Sequence, residues 1–248
     1  MIDVDWIFKM NKRRRILILG ASSDIGIDTV KIYLNKGWSV TAHYFSNKNK
    51  LDKLKKIYGS QLSFFQFNFL KVINLEKYIK KNKSFFNKFD AYISLTGYFN
   101  FIKFENFKVK DFYQHINSNY LSNLLIIREV LKGMKKRKWG RILLSSSIGT
   151  KFGGGDKTFV YSLSKFMNEF FPRYFQSFYK DNILINTILI GVTDTKMHKG
   201  NKKLKKRINM IPIKRIAKPS EVASYNYFLC SEENSLITGQ KLNISGGE

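Results

Sequence analysis

Short apolar runs alternate with amphipathic stretches along almost the whole chain, and this alternation constrains the fold more than any other feature of the sequence. Runs typical of buried strands lie at 15–19, 38–44, 62–67, 91–95, 141–145, 183–190 and 241–244. Helical patterns lie at 25–35, 49–58, 75–81, 112–136, 161–179, 196–207 and 221–230. Strands that alternate with helices indicate a parallel sheet covered on both faces. Right-handed crossovers then predict a doubly wound, three-layer α/β/α fold.

Length and composition favour one globular unit. Of the 248 residues, 44% are hydrophobic, which is enough for a packed core. No linker or repeat divides the chain, so we expect a single domain over 13–248 after a short extension at 1–12. No apolar run approaches the roughly 20 residues that a membrane-spanning helix needs. The lone cysteine, Cys230, excludes an intramolecular disulfide and fits a cytoplasmic protein.

The formal net charge of +26 admits several partners. A nucleic acid, an anionic membrane surface or an anionic substrate would each be attracted to it. The basic residues are spread over many segments, which favours the simpler interpretation that they reflect overall composition.

The segment Gly20–Gly26 lies between the first predicted strand and the first predicted helix. A turn in this place directs backbone N–H groups and the positive end of the helix dipole at an anion. Gly20 can adopt a positive φ, Gly26 leaves room for close packing or a pyrophosphate, and Ser22 and Ser23 add hydroxyl donors. The location predicts dinucleotide binding, with an ordinary strand-to-helix turn as the alternative.

The choice between NAD and NADP depends on the end of the second strand. A carboxylate there would bind the ribose 2′-hydroxyl of NAD, but residues 42–48 contain no acid. Ser46, Asn47 and Lys48 could instead bind a 2′-phosphate. This favours NADP over NAD, although Lys48 could equally be a solvated lysine.

Tyr161 and Lys165 lie one turn apart on one face of a predicted helix. A free tyrosine has a pKa of about 10, and a nearby cation lowers it. Lys165 together with the positive nicotinamide could bring the pKa of Tyr161 to about 7, so that Tyr161 could give and take a proton near neutral pH, although the spacing alone would be chance in a lysine-rich chain. The preceding strand ends in Ser145, Ser146 and Ser147, and a serine there can hold a substrate carbonyl oxygen.

The order and spacing of the Gly20–Gly26 turn, Ser147, Tyr161 and Lys165 resemble those of the short-chain dehydrogenase/reductase family. Further matching segments are 190–195, 212–215, 219–223, 237–240 and 245–247, so the resemblance covers roughly 13–248. It implies a Rossmann fold and an NAD(P)-dependent oxidoreductase that interconverts a carbonyl and a secondary alcohol by hydride transfer.

The resemblance also implies the roles of individual residues. Tyr161 would be the general acid in reduction and the general base in oxidation, and Lys165 would bind the nicotinamide ribose and lower the pKa of Tyr161. Ser147 would position the substrate oxygen, with Ser146 as a minor alternative, and Asn119 would complete a proton relay. The predicted cofactor-binding residues are Gly20, Ser22, Ser23, Asp24, Ile25, Gly26, Tyr44, Ser46, Asn47, Asn68, Gly97, Tyr161, Lys165, Gly191, Thr193 and Thr195.

Several positions depart from the family pattern. Asp24 replaces the middle glycine of the turn, and Ser94-Leu95-Thr96-Gly97 stands where Asn-Asn-Ala-Gly is usual. Asn68 stands where an acid often contacts adenine, and Ile190 replaces a proline. No catalytic group is lost, so the enzyme interpretation is kept.

The stretch 195–218 is expected to form a lid over the substrate. Its basic residues are Lys196, Lys199, Lys202, Lys203, Lys205, Lys206, Arg207, Lys214, Arg215 and Lys218. We expect the basic run 135–138 to lie beside it. Acyl-carrier-protein reductases, which the chain resembles, dock an acidic carrier with basic residues in this region. The substrate is therefore expected to be an anionic small molecule or one carried on an acidic protein, with plain surface charge as the alternative.

A second function remains open at this point. A catalytically degenerate member of the family could bind nucleic acid or another polyanion through its basic surface, but no nucleic-acid-binding motif is visible. His43, His115 and His198 show no metal-ligand spacing and are expected to be surface or packing residues, so no catalytic metal is predicted. The resemblance further implies a homo-oligomer, a dimer or tetramer built on the helices at 112–136 and 161–179.

Overall fold

In the computed structural model, which describes residues 13–200 and 204–248, strands and helices alternate as the sequence predicts. The strands are β1 (Arg15–Leu19), β2 (Ser39–Tyr44), β3 (Leu62–Gln66), β4 (Ala91–Ser94), β5 (Gly140–Ser147), β6 (Ile183–Ile190) and β7 (Lys241–Ile244). The helices are α1 (Asp24–Asn35), α2 (Asn49–Tyr58), α3 (Val72–Lys81), α4 (Lys83–Asn87), α5 (Val109–Ile116), α6 (Ser122–Arg137), α7 (Phe159–Phe166), α8 (Gln176–Tyr179), α9 (Leu204–Met210) and α10 (Pro219–Leu229).

The strands form one parallel sheet in the order β3-β2-β1-β4-β5-β6-β7. β1 lies near the middle, where Leu17 pairs with Thr41 of β2 on one side and with Tyr92 of β4 on the other. The strand order reverses between β1 and β4, and ligands of such sheets bind in the crevice at this point, outside the carboxyl ends of the strands. The predicted fold class is confirmed.

Side-chain alternation along the strands builds a core on each face of the sheet. Ile16 and Ile18 pack with α1 and α10 on one face, where Val30 is fully buried. Leu17 packs on the other face with α3 and α6, where Val130 is fully buried. Helices therefore cover both faces, which explains why the central strands β1 and β4 are buried along almost their whole length.

Two predicted helices are interrupted. The helix predicted at 112–136 begins at Val109 and passes through a π-helical turn, Asn117–Leu121, before α6. The continuous helix predicted at 161–179 is wrong, because α7 ends at Phe166 and a 3-10 turn, Met167–Glu169, follows. Pro172 lies in the break, has no N–H to donate and disfavours helical backbone at the residue before it.

The lid also differs from its predicted helix at 196–207. A 3-10 turn, Lys196–His198, is followed by Gly200 with φ of 77° and later by α9. The predicted extension at 1–12, and Lys202 and Lys203 of the lid, lie outside the described residues. The start of a single domain at residue 13 stays a prediction.

Candidate active site

A cleft of about 1770 Å³ opens at the carboxyl edge of the sheet. The segments that follow β1, β2, β3, β4, β5 and β6 all line it. A site for one small molecule usually occupies about 300–1,000 Å³. The cleft is therefore large enough for a dinucleotide together with a second molecule.

Most of the predicted site residues line this cleft. They are Gly20, Ser22, Ser23, Asp24, Ile25, Tyr44, Asn68, Gly97, Ser147, Tyr161, Lys165, Gly191, Thr193 and Thr195. Gly26, Ser46, Asn47 and Asn119 are not among the residues that line it.

The turn before α1 is held by its own hydrogen bonds. Ser23 caps the helix, because its Oγ accepts from Gly26 N at 3.0 Å and donates to Gly20 O at 2.8 Å. Gly20 has φ of 69°. A Cβ at position 26 would lie 2.4 Å from Gly20 O. Gly26 is therefore needed for close packing of the turn on itself, and of the two uses predicted for it this is the one that the structure supports.

His43, on β2, supports the turn through a hydrogen bond to its first residue. Its Nδ1 accepts the N–H of Gly20 at 3.2 Å, so Nε2 carries the proton and donates to Phe67 O at 3.0 Å. The ring stacks on Phe69 at 4.3 Å between centroids. Burial lowers the pKa of His43 to about 4. His43 is therefore a neutral packing residue on which the geometry of Gly20 depends.

Neither Asn47 nor Lys48, which the sequence predicts near a 2′-phosphate, is among the residues that line the cleft, and their contact with a phosphate stays a prediction. Asn47 Oδ1 accepts from Asn49 N at 2.9 Å in a local turn, and Lys48 pairs with Asp52 at 3.0 Å along α2. Lys50 lines the cleft instead. The sequence prediction considered only residues 42–48, and Lys50 lies two residues further on, in the first turn of α2.

Asp24 joins three segments of the chain. Its Oδ1 lies 2.6 Å from Lys50 Nζ, and its Oδ2 accepts the backbone N–H of Lys196 at 2.9 Å. Burial alone would raise the pKa of the Asp24 carboxyl, but the hydrogen bonds from Lys50 and Lys196 outweigh it and lower that pKa. Asp24, which stands where the family has a glycine, therefore links the Gly20–Gly26 turn to α2 and to the lid.

Tyr161 and Lys165 both reach the cleft from α7. The ring of Phe99 packs edge-on against Tyr161 with centroids 4.9 Å apart. Lys165 Nζ donates to Thr96 O at 2.7 Å and to Ser145 O and Ser145 Oγ at 3.0 Å each. Its three N–H groups therefore have acceptors on the ends of β4 and β5.

The pKa values of both members of this pair are shifted. Burial raises the pKa of Tyr161 to about 12 and lowers the pKa of Lys165 to about 7. Both shifts favour the neutral form, which is what removal from water does to any ionisable group. The lowering of the pKa of Tyr161 that the sequence predicts needs Lys165 together with a bound nicotinamide, and it stays a prediction.

Ser147 lies at the end of β5, where the chain turns into a 3-10 segment, Ile148–Phe152. Its Oγ accepts the N–H of Gly149 at 3.2 Å. Ser146 is 2% exposed, and its hydroxyl donates to Glu169 Oε1 at 2.6 Å. The hydroxyl of Ser146 is thus already used inside the protein, which favours Ser147 as the serine that faces a substrate.

Asn119 is fully buried in the π-helical turn. Its side chain bonds to both backbone groups of Tyr98 and donates to Ser164 Oγ at 2.9 Å. The backbone carbonyl oxygen of Asn119 accepts hydrogen bonds from the side-chain amides of Asn123 and Asn168, each at 2.9 Å. Asn119 therefore connects the loop after β4 with α7, and its predicted place in a proton relay stays a prediction.

The outer part of the cleft is apolar, which sequence reasoning missed. Phe101, Phe152, Met197 and Met210 line it while each is more than half exposed. Phe99 packs on Phe101 with centroids 4.7 Å apart. Both lie within four residues after Gly97, so an aromatic cluster beside the predicted site could have been noted from the sequence.

Basic residues line the same region. Lys196, Lys199 and Arg207 are in its wall. The carboxylates in the described wall are Asp24 and Glu248, and each pairs with a cation.

The expectation that the run 135–138 lies beside the lid is wrong. This run ends α6 just before β5 starts, so it lies at the amino edge of the sheet, opposite the cleft.

No helix among residues 13–200 and 204–248 is long and apolar enough to cross a membrane. The same residues contain no group of three or more His, Cys, Asp or Glu side chains that could hold a metal ion.

Comparison with known proteins adds to the geometry. A family model described as Enoyl-(Acyl carrier protein) reductase matches residues 20–248. The chain is 29% identical over 249 residues to an uncharacterized oxidoreductase of Bacillus subtilis, covering 96% of this chain and 99% of that protein. It is 25% identical over 235 residues to a 3-oxoacyl-[acyl-carrier-protein] reductase of Thermotoga maritima, covering 93% and 96%.

Solved structures give the same picture of the fold. ElxO with NADP bound superimposes with a TM-score of 0.83 at 25% identity, covering 95% of this chain and 98% of that one. A short-chain dehydrogenase/reductase from Serratia marcescens superimposes with a TM-score of 0.83 at 20% identity, covering 94% and 97%.

Proposed function

Since the chain belongs to the short-chain dehydrogenase/reductase family, we propose that it is an NADP-dependent oxidoreductase that interconverts a carbonyl and a secondary alcohol by hydride transfer. One observation carries the proposal. Ser147, Tyr161 and Lys165 line the same cleft as the turn at Gly20. A proton donor, a hydroxyl for a carbonyl oxygen and an anion-binding helix end are thus available to one pair of ligands.

The cleft residues fit a dinucleotide. The N-terminus of α1 faces the cleft and can bind a pyrophosphate through backbone N–H groups. Asp24 adds a negative charge there, but the ammonium of Lys50 offsets this charge, and the Lys196 N–H donates to its second oxygen. Lys50 is also the group that can contact a 2′-phosphate, which supports NADP over NAD. NADPH, when bound, supplies the hydride.

Ser147 is set to donate a hydrogen bond to a substrate. Because its Oγ already accepts from Gly149 N, its hydroxyl proton is free to point at a carbonyl oxygen in the cleft. Such a bond holds the carbonyl in place and stabilises the negative charge that develops on its oxygen during reduction.

Tyr161 is the proposed acid. Its hydroxyl is protonated at neutral pH, but a pKa raised to about 12 makes it a weaker donor, so Lys165 and the bound nicotinamide would have to lower that pKa for rapid transfer. In reduction the carbonyl carbon receives the hydride, and its oxygen receives the proton of Tyr161. Oxidation needs the phenolate instead, which the positive charges of Lys165 and of the oxidised nicotinamide would favour.

We propose a substrate with an apolar chain next to its carbonyl, of the 3-oxoacyl type. The rings of Phe99 and Phe101 continue outwards from Tyr161, so an apolar group beside the reacting carbon would contact them. Lys196 and Lys199 at the rim would favour an anionic substrate or one carried by an acidic protein. The relatives described as 3-oxoacyl-[acyl-carrier-protein] reductases support this choice.

Self-association is also proposed. Exposed apolar side chains are present on α5, at Val109 and Tyr113, and on the adjoining α7, at Leu163 and Phe166. Their burial between copies would favour a homodimer or homotetramer. Sedimentation of the purified protein tests this. A cytoplasmic location stays a prediction that rests on the lone Cys230.

The proposed function is tested by nucleotide binding and turnover. Fluorescence titration should show tighter binding of NADPH than of NADH. Acetoacetyl-CoA should be reduced with NADPH, and Tyr161→Phe should abolish reduction while leaving NADPH binding intact. If neither nucleotide binds at low salt, the oxidoreductase proposal fails. A polyanion-binding protein then becomes the better interpretation of the charge, and a salt-sensitive gel shift with nucleic acid would support it.

A further inference from the structure

Glu169 is a buried carboxylate that the proposed reaction does not use. It follows α7 in the 3-10 turn Met167–Glu169, is 6% exposed, and does not line the cleft. In the described part of the chain no lysine, arginine or histidine forms an ion pair with it. A buried carboxylate without a cation is costly unless hydrogen bonds satisfy it.

The hydrogen bonds of Glu169 lead to both sides of Ser147. Oε1 accepts from Ser146 Oγ at 2.6 Å and from Thr150 Oγ1 at 2.7 Å. Thr150 Oγ1 also lies 2.7 Å from the backbone oxygen of Ser147. One carboxylate oxygen therefore contacts the residue before Ser147 and a residue three positions after it.

We propose that Glu169 is a positioning residue that holds Ser147 at a set distance from Tyr161. The inference rests on the proposed function, in which Ser147 and Tyr161 contact the same substrate oxygen. Tyr161 lies on α7, and Glu169 follows the end of the same helix by a single turn. The carboxylate thus attaches the serine-bearing segment to the element that carries the tyrosine.

The segment needs such an attachment because it has left the sheet. Ser147 is the last residue of β5 that pairs with β6, opposite Ile190. Beyond it, two hydrogen bonds of 148–152 in the described chain reach distant residues, and the others are local. Thr150 Oγ1 donates to Glu169 Oε1, and Lys151 Nζ donates to Glu248 O at 3.0 Å. Lys151 is exposed, so the buried Glu169 is the stronger constraint.

The expected effect is on turnover rather than on nucleotide binding. A misplacement of about 1 Å at a reacting group can lower the rate about 100-fold. Glu169→Ala is therefore expected to lower kcat about 10- to 100-fold. The Kd for NADPH is expected to stay within about twofold, because Glu169 is not part of the cleft wall.

The experiment compares three variants. Glu169→Ala removes the acceptor, and Glu169→Gln keeps an oxygen in its place. Glu129→Ala is the matched control. Glu129 is also a buried acid, at 3% exposure, but it pairs with Lys132 and Arg128 on α6, away from the cleft. The readouts are kcat with acetoacetyl-CoA, the Kd for NADPH, and hydrogen exchange of the Gly149 N–H, which reports the position of Ser147 Oγ.

We expect Glu169→Ala to lose turnover and to exchange the Gly149 N–H at least tenfold faster, and Glu169→Gln to stay within about threefold of the wild type in both. Glu129→Ala should leave both unchanged, even if it lowers the melting temperature. If Glu169→Ala fails to fold, Thr150→Val removes one of the two bonds and should speed the same exchange.

Two results would overturn the proposal: Gly149 exchange in Glu169→Ala equal to that of the wild type, or equal losses in the Gln and Ala variants. If the wild type reduces no carbonyl compound, the proposed function fails, and the Gly149 exchange still decides whether Glu169 holds the segment.

Discussion

The carboxylate of Asp24 accepts the backbone N–H of Lys196 at 2.9 Å and so joins the Gly20–Gly26 turn to the start of the lid. Asp24→Ala is expected to speed hydrogen exchange at Lys196 about tenfold, because this N–H loses its acceptor. Asp24→Asn should preserve the protection, since an amide oxygen can still accept. Asp28→Ala is the control, because Asp28 lies on the same helix and pairs with Lys31. An unchanged exchange rate in Asp24→Ala would show that the contact does not hold the lid.

Lys50 is expected to select NADP. Lys50→Ala should weaken NADPH binding about tenfold, since a charge-assisted hydrogen bond to a phosphate contributes about 1.5–3 kcal/mol. NADH binding should weaken less, because NADH has no 2′-phosphate and loses only the charge that offsets Asp24 near the pyrophosphate. Lys48→Ala provides the comparison, as Lys48 pairs with Asp52 outside the cleft. Titration of each variant with both nucleotides measures this, and equal weakening by both lysine variants would assign selectivity elsewhere.

His43 is expected to make stability depend on pH below neutrality. Its pKa is about 4 in the folded protein against an ordinary 6.5, so the unfolded chain takes up a proton first. The stabilisation is complete above pH 6.5 and is lost as pH falls towards 4, by about 3 kcal/mol in total. Nuclear magnetic resonance of the imidazole tests this directly. Resonances that titrate near pH 6.5 in the folded protein would contradict it.

Lys165 is expected to lower stability while serving function. Its pKa falls from 10.5 to about 7 on folding, so it carries no penalty above pH 10.5 and destabilises the fold increasingly as pH falls to 7. The penalty amounts to about 5 kcal/mol. Lys165→Met removes this penalty but leaves Thr96 O, Ser145 O and Ser145 Oγ without this donor, at about 1–3 kcal/mol each.

These two effects are of similar size at pH 7, so the prediction concerns the pH dependence: relative to the wild type, Lys165→Met should be less stable at pH 10 than at pH 7, and inactive in reduction. Denaturant unfolding at pH 7 and at pH 10 checks this. A stability difference between variant and wild type that does not change with pH would refute the account.

Much of the fold could be predicted because the signals for it are local. The apolar run at Ile16–Leu19, the cap at Ser23 and the stop at Gly37, with φ of 81°, each act within a few residues. The break at Pro172 was also present in the sequence, but the apolar periodicity across 161–179 outweighed it in our expectation.

The candidate site was predicted only where its residues lie in short motifs. Gly20, Ser147, Tyr161 and Lys165 belong to such motifs, and all line the cleft. Lys50 was missed, and Glu169 has no recognisable spacing to the serines that it contacts. Phe99 was visible but had no assigned position until the loop after β4 met α7.

The sequence by itself determined the order of strands and helices, the turn that faces an anion, and the hydroxyl and amine groups available for proton transfer. These depend on backbone preferences and on spacing within single elements. Only the tertiary structure decided which charges these groups carry. Lys165 is drawn to Thr96 rather than to Tyr161, and Asp24 is neutralised by segments far away in the chain. The physical reason is that burial and electrostatic pairing depend on which distant segments come together, and a pattern within one segment does not contain that information.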